Sequence, residues 1–271
     1  MNTYLKYTLT VLLTITFLAC SKDDDSSDIP EEGFSEVELF FDNGVNGDQL
    51  ILGNSYTNSL GESLTIDRLN YIVSNIVLIK EDGSEFVYPK EDSYFLVLQE
   101  AEVFSIHLEN IPTGDYSKIR FGVGVDQERY LEGETAQQEF WDYASQHNMV
   151  WTWSTGYRFI NFEGSFSNDD VENIPFKVHQ GSNTATDNYR EVTLDLPTTA
   201  RVRVDEVPNI HVVSDINTIL DGTNKISLYE NLNPAGTESS IMGGEALIDI
   251  AENTLSMFVV DHVHNGSGSH H

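Results

Sequence analysis

One cysteine, Cys20, stands in 271 residues, which excludes an internal disulfide framework and any thiolate-based zinc or iron–sulfur site. Metal chemistry therefore falls to histidine and carboxylate. Basic residues are also scarce: 14 Lys and Arg against 44 Asp and Glu leave a formal charge of −30 at pH 7. A nucleic-acid interface needs a basic face to neutralise phosphates, so nucleic acid is excluded as a partner. Anionic lipid headgroups would repel the chain as well, and any membrane attachment has to be covalent. Proline is limited to seven residues, while 39% apolar and 11% aromatic content supplies a core, so the composition is not that of a disordered chain. Long hydrophobic runs are missing too. The stretch from Leu9 to Leu18 is too short for a stable transmembrane span. No G-x-S-x-G, H-E-x-x-H or P-loop sequence occurs, Gly122-Val123-Gly124 lacks a strand-to-helix context, and Asp42–Gly47 lacks the ligands of a calcium loop and reads as a turn. The chain is expected not to be an enzyme.

Residues 1–19, with Lys6 near the start and a short apolar run, read as a secretory signal. Leu18-Ala19-Cys20 resembles a bacterial lipobox, in which Cys20 would be lipidated and become the mature N-terminus. The polar, acidic Ser21-Lys22-Asp23-Asp24-Asp25 that follows has nothing to bury, so 20–35 is expected to be a solvated tether. It resembles the export signal that sends some Gram-negative lipoproteins to the outer face of the outer membrane; an ordinary linker behind a periplasm-facing anchor is the other reading. Residues 266–271 look like an engineered linker and truncated histidine tag and are set aside. The folded domain is then expected over 36–265.

From Glu36 onward, short alternating or continuous apolar runs are separated by turn residues, for example at 37–41, 68–79, 93–98, 103–108 and 116–125. Glu81-Asp82-Gly83-Ser84 and Ile111–Tyr116 read as tight turns. Later runs fall at 149–153, 157–164, 175–179, 190–196, 200–204, 209–213, 246–250 and 257–264. This number of strands predicts an all-β fold, a single antiparallel β-sandwich or barrel-like domain. One short helix is expected over 134–147, where Ala136, Phe140, Tyr143, Ala144 and His147 recur at helical spacing behind a Thr135/Gln138 capping box. A second short helix or turn is expected at Asp215–Leu220.

Six histidines lie outside the terminal tag: His107, His147, His179, His211, His262 and His264. If 257–264 is a strand, its period of two puts His262 and His264 on one face, and neutral imidazole suits copper or zinc. Two exposed histidines near a chain end would show the same spacing. His179 precedes Gln180-Gly181, where the glycine would let the backbone turn and bring the ring inward; packing in the core or at an edge is the commoner use of such a residue. His107 and His211 sit within apolar strands and read as packed or surface polar residues. In Met149-Val150-Trp151-Thr152-Trp153, alternation puts Met149, Trp151 and Trp153 on one face. Core packing, a sugar platform and an indole beside a metal all remain open there.

Five ordered segments, LNYIVSNIVLI (69–79), IPTGDYSKIRFGVGVD (111–126), MVWTWSTGYRFINFEG (149–164), FKVHQG (176–181) and MFVVDHVHN (257–265), together resemble the MbnP-like family of copper-binding proteins. The resemblance runs over 36–265. It implies a secreted, mainly β protein that binds copper through His179, His262 and His264; beside them the thioether of Met149 is a candidate soft ligand. It further implies that Trp151 or Trp153 is oxidised to kynurenine by a dihaem peroxidase-like partner. Many relatives carry a histidine soon after the first strand, where this chain reads Phe41-Asp42-Asn43-Gly44. Two functions follow: a surface or periplasmic copper-binding lipoprotein, or an accessory lipoprotein of an outer-membrane receptor or assembly complex that keeps the scaffold without obligatory metal.

Overall fold

The computed structural model describes residues 32–151 and 156–266; Cys20, the acidic stretch behind it and Trp153 lie outside them. In chain order the strands are β1 (Phe34–Val45), β2 (Asp48–Gln49), β3 (Ser55–Thr57), β4 (Ser63–Lys80), β5 (Glu85–Val87), β6 (Tyr94–Leu98), β7 (Ser105–Pro112) and β8 (Gly114–Val123). Helices α1 (Gln127–Glu132) and α2 (Gln138–Gln146) follow, then β9 (Ile160–Ser167), β10 (Ile174–Gln180), β11 (Arg190–Val202) and β12 (Asn209–Asp215). The chain closes with α3 (Thr218–Asp221), β13 (Ser239–Ile241), α4 (Glu245–Asn253) and β14 (Phe258–His264). The protein is mainly β, as its apolar runs predict.

A smaller sheet has the order β14-β12-β1-β2, with β7 also on β1, and a larger one has the order β11-β8-β4-β9-β10-β13, with β3, β5 and β6 also on β4. The axis of the larger sheet is β4. Its largely apolar stretch between Leu69 and Ile79 is buried on both faces except at Asn75, the pattern of a strand covered on each side. Toward the smaller sheet, Tyr71, Val73 and Leu78 join the main core; on the other face Ile72 packs in a second cluster with Leu96, Leu98, Val125, Ala144, Met149, Val150, Tyr157 and Phe159.

Four rings pin the two sheets together. Phe41 and Phe258 from the smaller sheet meet Tyr71 and Phe121 from the larger one at centroid distances of 5.2–6.1 Å, mostly edge to face, the geometry ring quadrupoles favour. The Tyr71 hydroxyl is the polar end of this cluster. It donates to Asn43 Oδ1 at 2.9 Å and lies 3.0 Å from Ser214 Oγ, while Asn43 Nδ2 donates to Gln99 Oε1 at 2.8 Å. Burial raises the Tyr71 pKa. Asn43, in the Phe41–Gly44 segment, is thus a satisfied core residue.

Several expectations need correction. The sheets are mixed: β1 pairs with β12, and β10 with β13, in parallel, because each partner returns after a long excursion rather than a hairpin. Ala246–Ile250 lies in α4, where Leu247, Ile250 and Ala251 are buried at helical spacing; a five-residue apolar run cannot distinguish the two periods. The runs at 190–196 and 200–204 largely merge into β11, with a register shift between Asp195 and Ala200. Residues 134–147 divide into a 3-10 turn (Glu134–Gln137) and α2, and no side-chain capping bond forms at either start. The strand expected at 149–153 is not formed over Met149–Trp151, which has one bridge, Val150 to Tyr157, and buries all three residues.

Phe258 and Val260 of β14 face the core, whereas Val259 is 58% exposed. Phe258→Ala is expected to destabilise the protein by about 3–5 kcal/mol through a cavity among the four rings, and Val259→Ala by no more than about 0.5 kcal/mol. Denaturant unfolding midpoints of the two variants check this.

Candidate functional site

His179 lies on β10 with Phe176 and Val178 in the main core and its own ring on the outer face of the larger sheet. It is only 3% exposed. The cover is the irregular segment after α2. Asn148, at φ 57°, and Gly156, at φ 142°, turn the chain around Trp151, whose ring centroid lies 5.8 Å from that of His179. Gly181 permits the close approach: a Cβ there would sit 2.4 Å from the Tyr157 carbonyl oxygen and 3.4 Å from Trp151 Nε1. The Arg158 guanidinium lies 5.3 Å from the Trp151 ring centroid, within cation–π range. A cleft of about 230 Å³, lined by Trp151, Gly181, Asn188, Met242, Gly244 and Leu247 among others, brings solvent to the indole.

The protonation of His179 follows from its neighbours. Nε2 is 2.6 Å from Glu163 Oε1. Glu163 Oε2 accepts from Arg68 at 3.0 Å, and Arg68 also bonds Glu100 at 2.6 Å. The hydrogen bond from His179 and the guanidinium charge hold the Glu163 carboxyl below its ordinary pKa. An ionised carboxylate only accepts, so Nε2 carries the proton and Nδ1 presents its lone pair. Burial lowers the His179 pKa against the opposing pull of Glu163, which keeps the ring neutral. Nδ1 is buried without a hydrogen-bond partner, as is Oδ1 of Asn161, the residue directly across the ladder on β9. A carboxylate holding one ring nitrogen so that the other is free is the usual support of a metal-ligating histidine.

The other predicted residues go elsewhere. His262 and His264 lie on β14 with the intervening Val263 in the main core, so they occupy the outer face of the smaller sheet. Two sheets about 10 Å apart therefore separate them from His179, and the expected three-histidine centre is not assembled. Among the described residues no three His, Cys, Asp or Glu side chains form a group able to hold a metal ion. Period two fixes which residues share a strand face, but not which sheet the strand joins. Met149 is fully buried in the second apolar cluster. His147 ends α2 and meets Tyr143 edge to face at 4.9 Å; His107 is exposed on β7 opposite Glu38. Glu163, Arg68, Arg158 and Asn161 did not stand out in the sequence. Pairing the run at 157–164 with that at 175–179 around their polar turn would have placed Glu163 diagonally beside His179.

This arrangement defines a mainly β protein with a buried, carboxylate-anchored imidazole against an indole. The MbnP family model matches residues 34–242, and the chain belongs to that family. MbnP from Methylosinus trichosporium, a solved structure, is 15% identical over 79% of this chain and 82% of its own, with a TM-score of 0.48. No curated protein matches. The matched family span includes His179 and Trp151 but ends before His262 and His264.

The folded pKa of His179 lies below its unfolded value, near 6.5. Its contribution to stability is therefore complete above about pH 6.5 and is lost as pH falls from there through the lowered folded value. Denaturation at pH 7.5 and at pH 5.5 should show a smaller loss for His179→Gln than for wild type. Long-range proton–nitrogen spectra at pH 7 should show the Nε2–H tautomer.

Proposed function

We propose that this chain is a cell-envelope lipoprotein that handles copper, with His179 as the imidazole ligand and Trp151 beside it. The observation that carries the proposal is the bare Nδ1 of a buried neutral ring whose Nε2–H is held by Glu163. Asn161 Oδ1 is the second unpartnered acceptor on the same face. Copper accepts imidazole nitrogen readily and would bring redox chemistry or be carried as cargo. Arg68 and Glu163 fix the ring orientation; Trp151 and Gly181 close the site against bulk water. In this reading Cys20 carries the lipid, the acidic tether sends the protein to the exterior of an outer membrane, and a dihaem peroxidase-like enzyme converts Trp151 or Trp153 to kynurenine. Membership of the MbnP family supports the copper assignment.

A second reading is an accessory lipoprotein of an outer-membrane receptor or assembly complex that retains the scaffold without obligatory metal. Asn43, satisfied within the core network, and the distance of His262 and His264 from His179 favour it.

Calorimetric titration of tag-free protein with copper separates the two. His179→Ala is expected to weaken binding at the buried site by tenfold or more, and Glu163→Gln by roughly tenfold through loss of ring orientation. Equal copper binding by His179→Ala and wild type would overturn the copper reading and leave the accessory one. Kynurenine at Trp151 or Trp153 in protein from native cells would support copper handling independently.

A further inference from the structure

The outer face of the smaller sheet gathers histidines that are dispersed in the sequence. β12 pairs with β14 so that His211 stands directly opposite His262, and Asn209 opposite His264. The His211 and His262 rings stack with centroids 4.3 Å apart and an interplanar angle of 23°. On its other side His211 stacks on Phe40 of β1 at 4.7 Å, its direct partner in that ladder. The three rings form one row across three strands, and Phe40 fixes the position of the His211 ring.

A register irregularity shapes this row. The ladder passes from Val212–Val260 to His211–His262, skipping Asp261. Such an extra residue re-aims neighbouring side chains, and here Asp261 and His262 are both exposed, while Val260 and Val263 remain in the core. The Asp261 carboxylate lies 2.8 Å from His262 Nδ1. In the neutral ring this makes Nδ1–H the donor and leaves the Nε2 lone pair outward, the same carboxylate-to-imidazole logic as at His179. His264, two residues along, faces the same side.

We infer that His211 and His262 form a second, solvent-facing site for a divalent transition-metal ion, separate from His179. Directly opposed strand residues have Cβ atoms about 4.5–5.5 Å apart, so small rotations of the stacked rings bring two nitrogens within about 2.0–2.1 Å of one ion. Two imidazoles select borderline ions such as Zn²⁺, Cu²⁺ or Ni²⁺; Ca²⁺ and Mg²⁺ require oxygen ligands. Water completes the coordination. Asp42, Asp261 and Glu38 all act electrostatically on His211, and their negative charge favours a cation.

The test uses the tag-free full chain carrying His179→Ala, so that failure here is distinct from failure of the copper reading above. This parent should bind one equivalent of Zn²⁺ by calorimetry. His211→Ala or His262→Ala should each weaken binding tenfold or more, Asp261→Asn should weaken it less, and His107→Ala, on the same sheet face, should leave it unchanged. With Cu²⁺, electron paramagnetic resonance should show two imidazole nitrogens in the parent and one in His211→Ala. Far-ultraviolet circular dichroism should be unchanged, because both rings lie outside the core. Absence of Zn²⁺ binding by the parent, or equal binding by a His211→Ala/His262→Ala double variant, overturns the inference.

Discussion

An 18-residue strand buried along most of its length on both faces imposes the main constraint on this molecule. β4 needs cover on two sides, since either apolar face left in water would forfeit its hydrophobic contribution. The smaller sheet supplies one cover through the rings of Phe41 and Phe258. The other comes from the segment between β8 and β9, where α1, α2 and Met149–Val150 lie over Ile72 and its neighbours. The second cover also makes the site: the chain that shields the outer face of β4 continues across β9 and β10 and sets the indole against His179. Packing and chemistry thus share one piece of backbone.

The charge distribution sharpens the point. In a chain with 14 basic residues, two arginines stand close to one histidine. Arg68 anchors Glu163, and Arg158 lies over Trp151; burial lowers the Arg158 pKa, and its charge disfavours protonation of His179. Burial, aided by the Arg158 charge, keeps the ring neutral against the pull of Glu163, in an otherwise strongly acidic protein. Net charge sets solubility and long-range attraction, whereas the first few ångströms around His179 set the proton.

Much of the fold was legible because strands with one or two buried faces leave plain signatures. The hairpin turn at 81–84, the tight turn at 111–116 that carries the chain from one sheet to the other, the long run of β4 and the helical spacing around Phe140 could be read directly. Three features could not. Met149–Trp151 alternates in character but is irregular in conformation, because Asn148 and Gly156 adopt positive φ and tertiary packing overrides the local pattern. α4 was disguised by the brevity of its apolar run. The site was only half visible: His179 and Trp151 were found, but Glu163 was one acid among 44, and its value came from strand register. His262 and His264 shared a face as their spacing requires, yet the identity of their neighbour, His211, depended on long-range pairing.

The irregularity at Asp261 bears on how copies of this chain meet. β14 forms an edge of the smaller sheet, and an edge strand offers unpaired backbone groups to any similar strand nearby. The skipped residue breaks the regular spacing of those groups and places a carboxylate among them. Beyond the strand, the Asn265 side chain turns back to bond Arg201 N and Thr199 O of β11 at 2.7 and 2.8 Å, fastening the end of β14 to the opposite sheet. An incoming strand would meet a kinked, acidic and tied-down border. Such a border opposes lateral sheet growth, which allows the molecules to crowd without joining edge to edge.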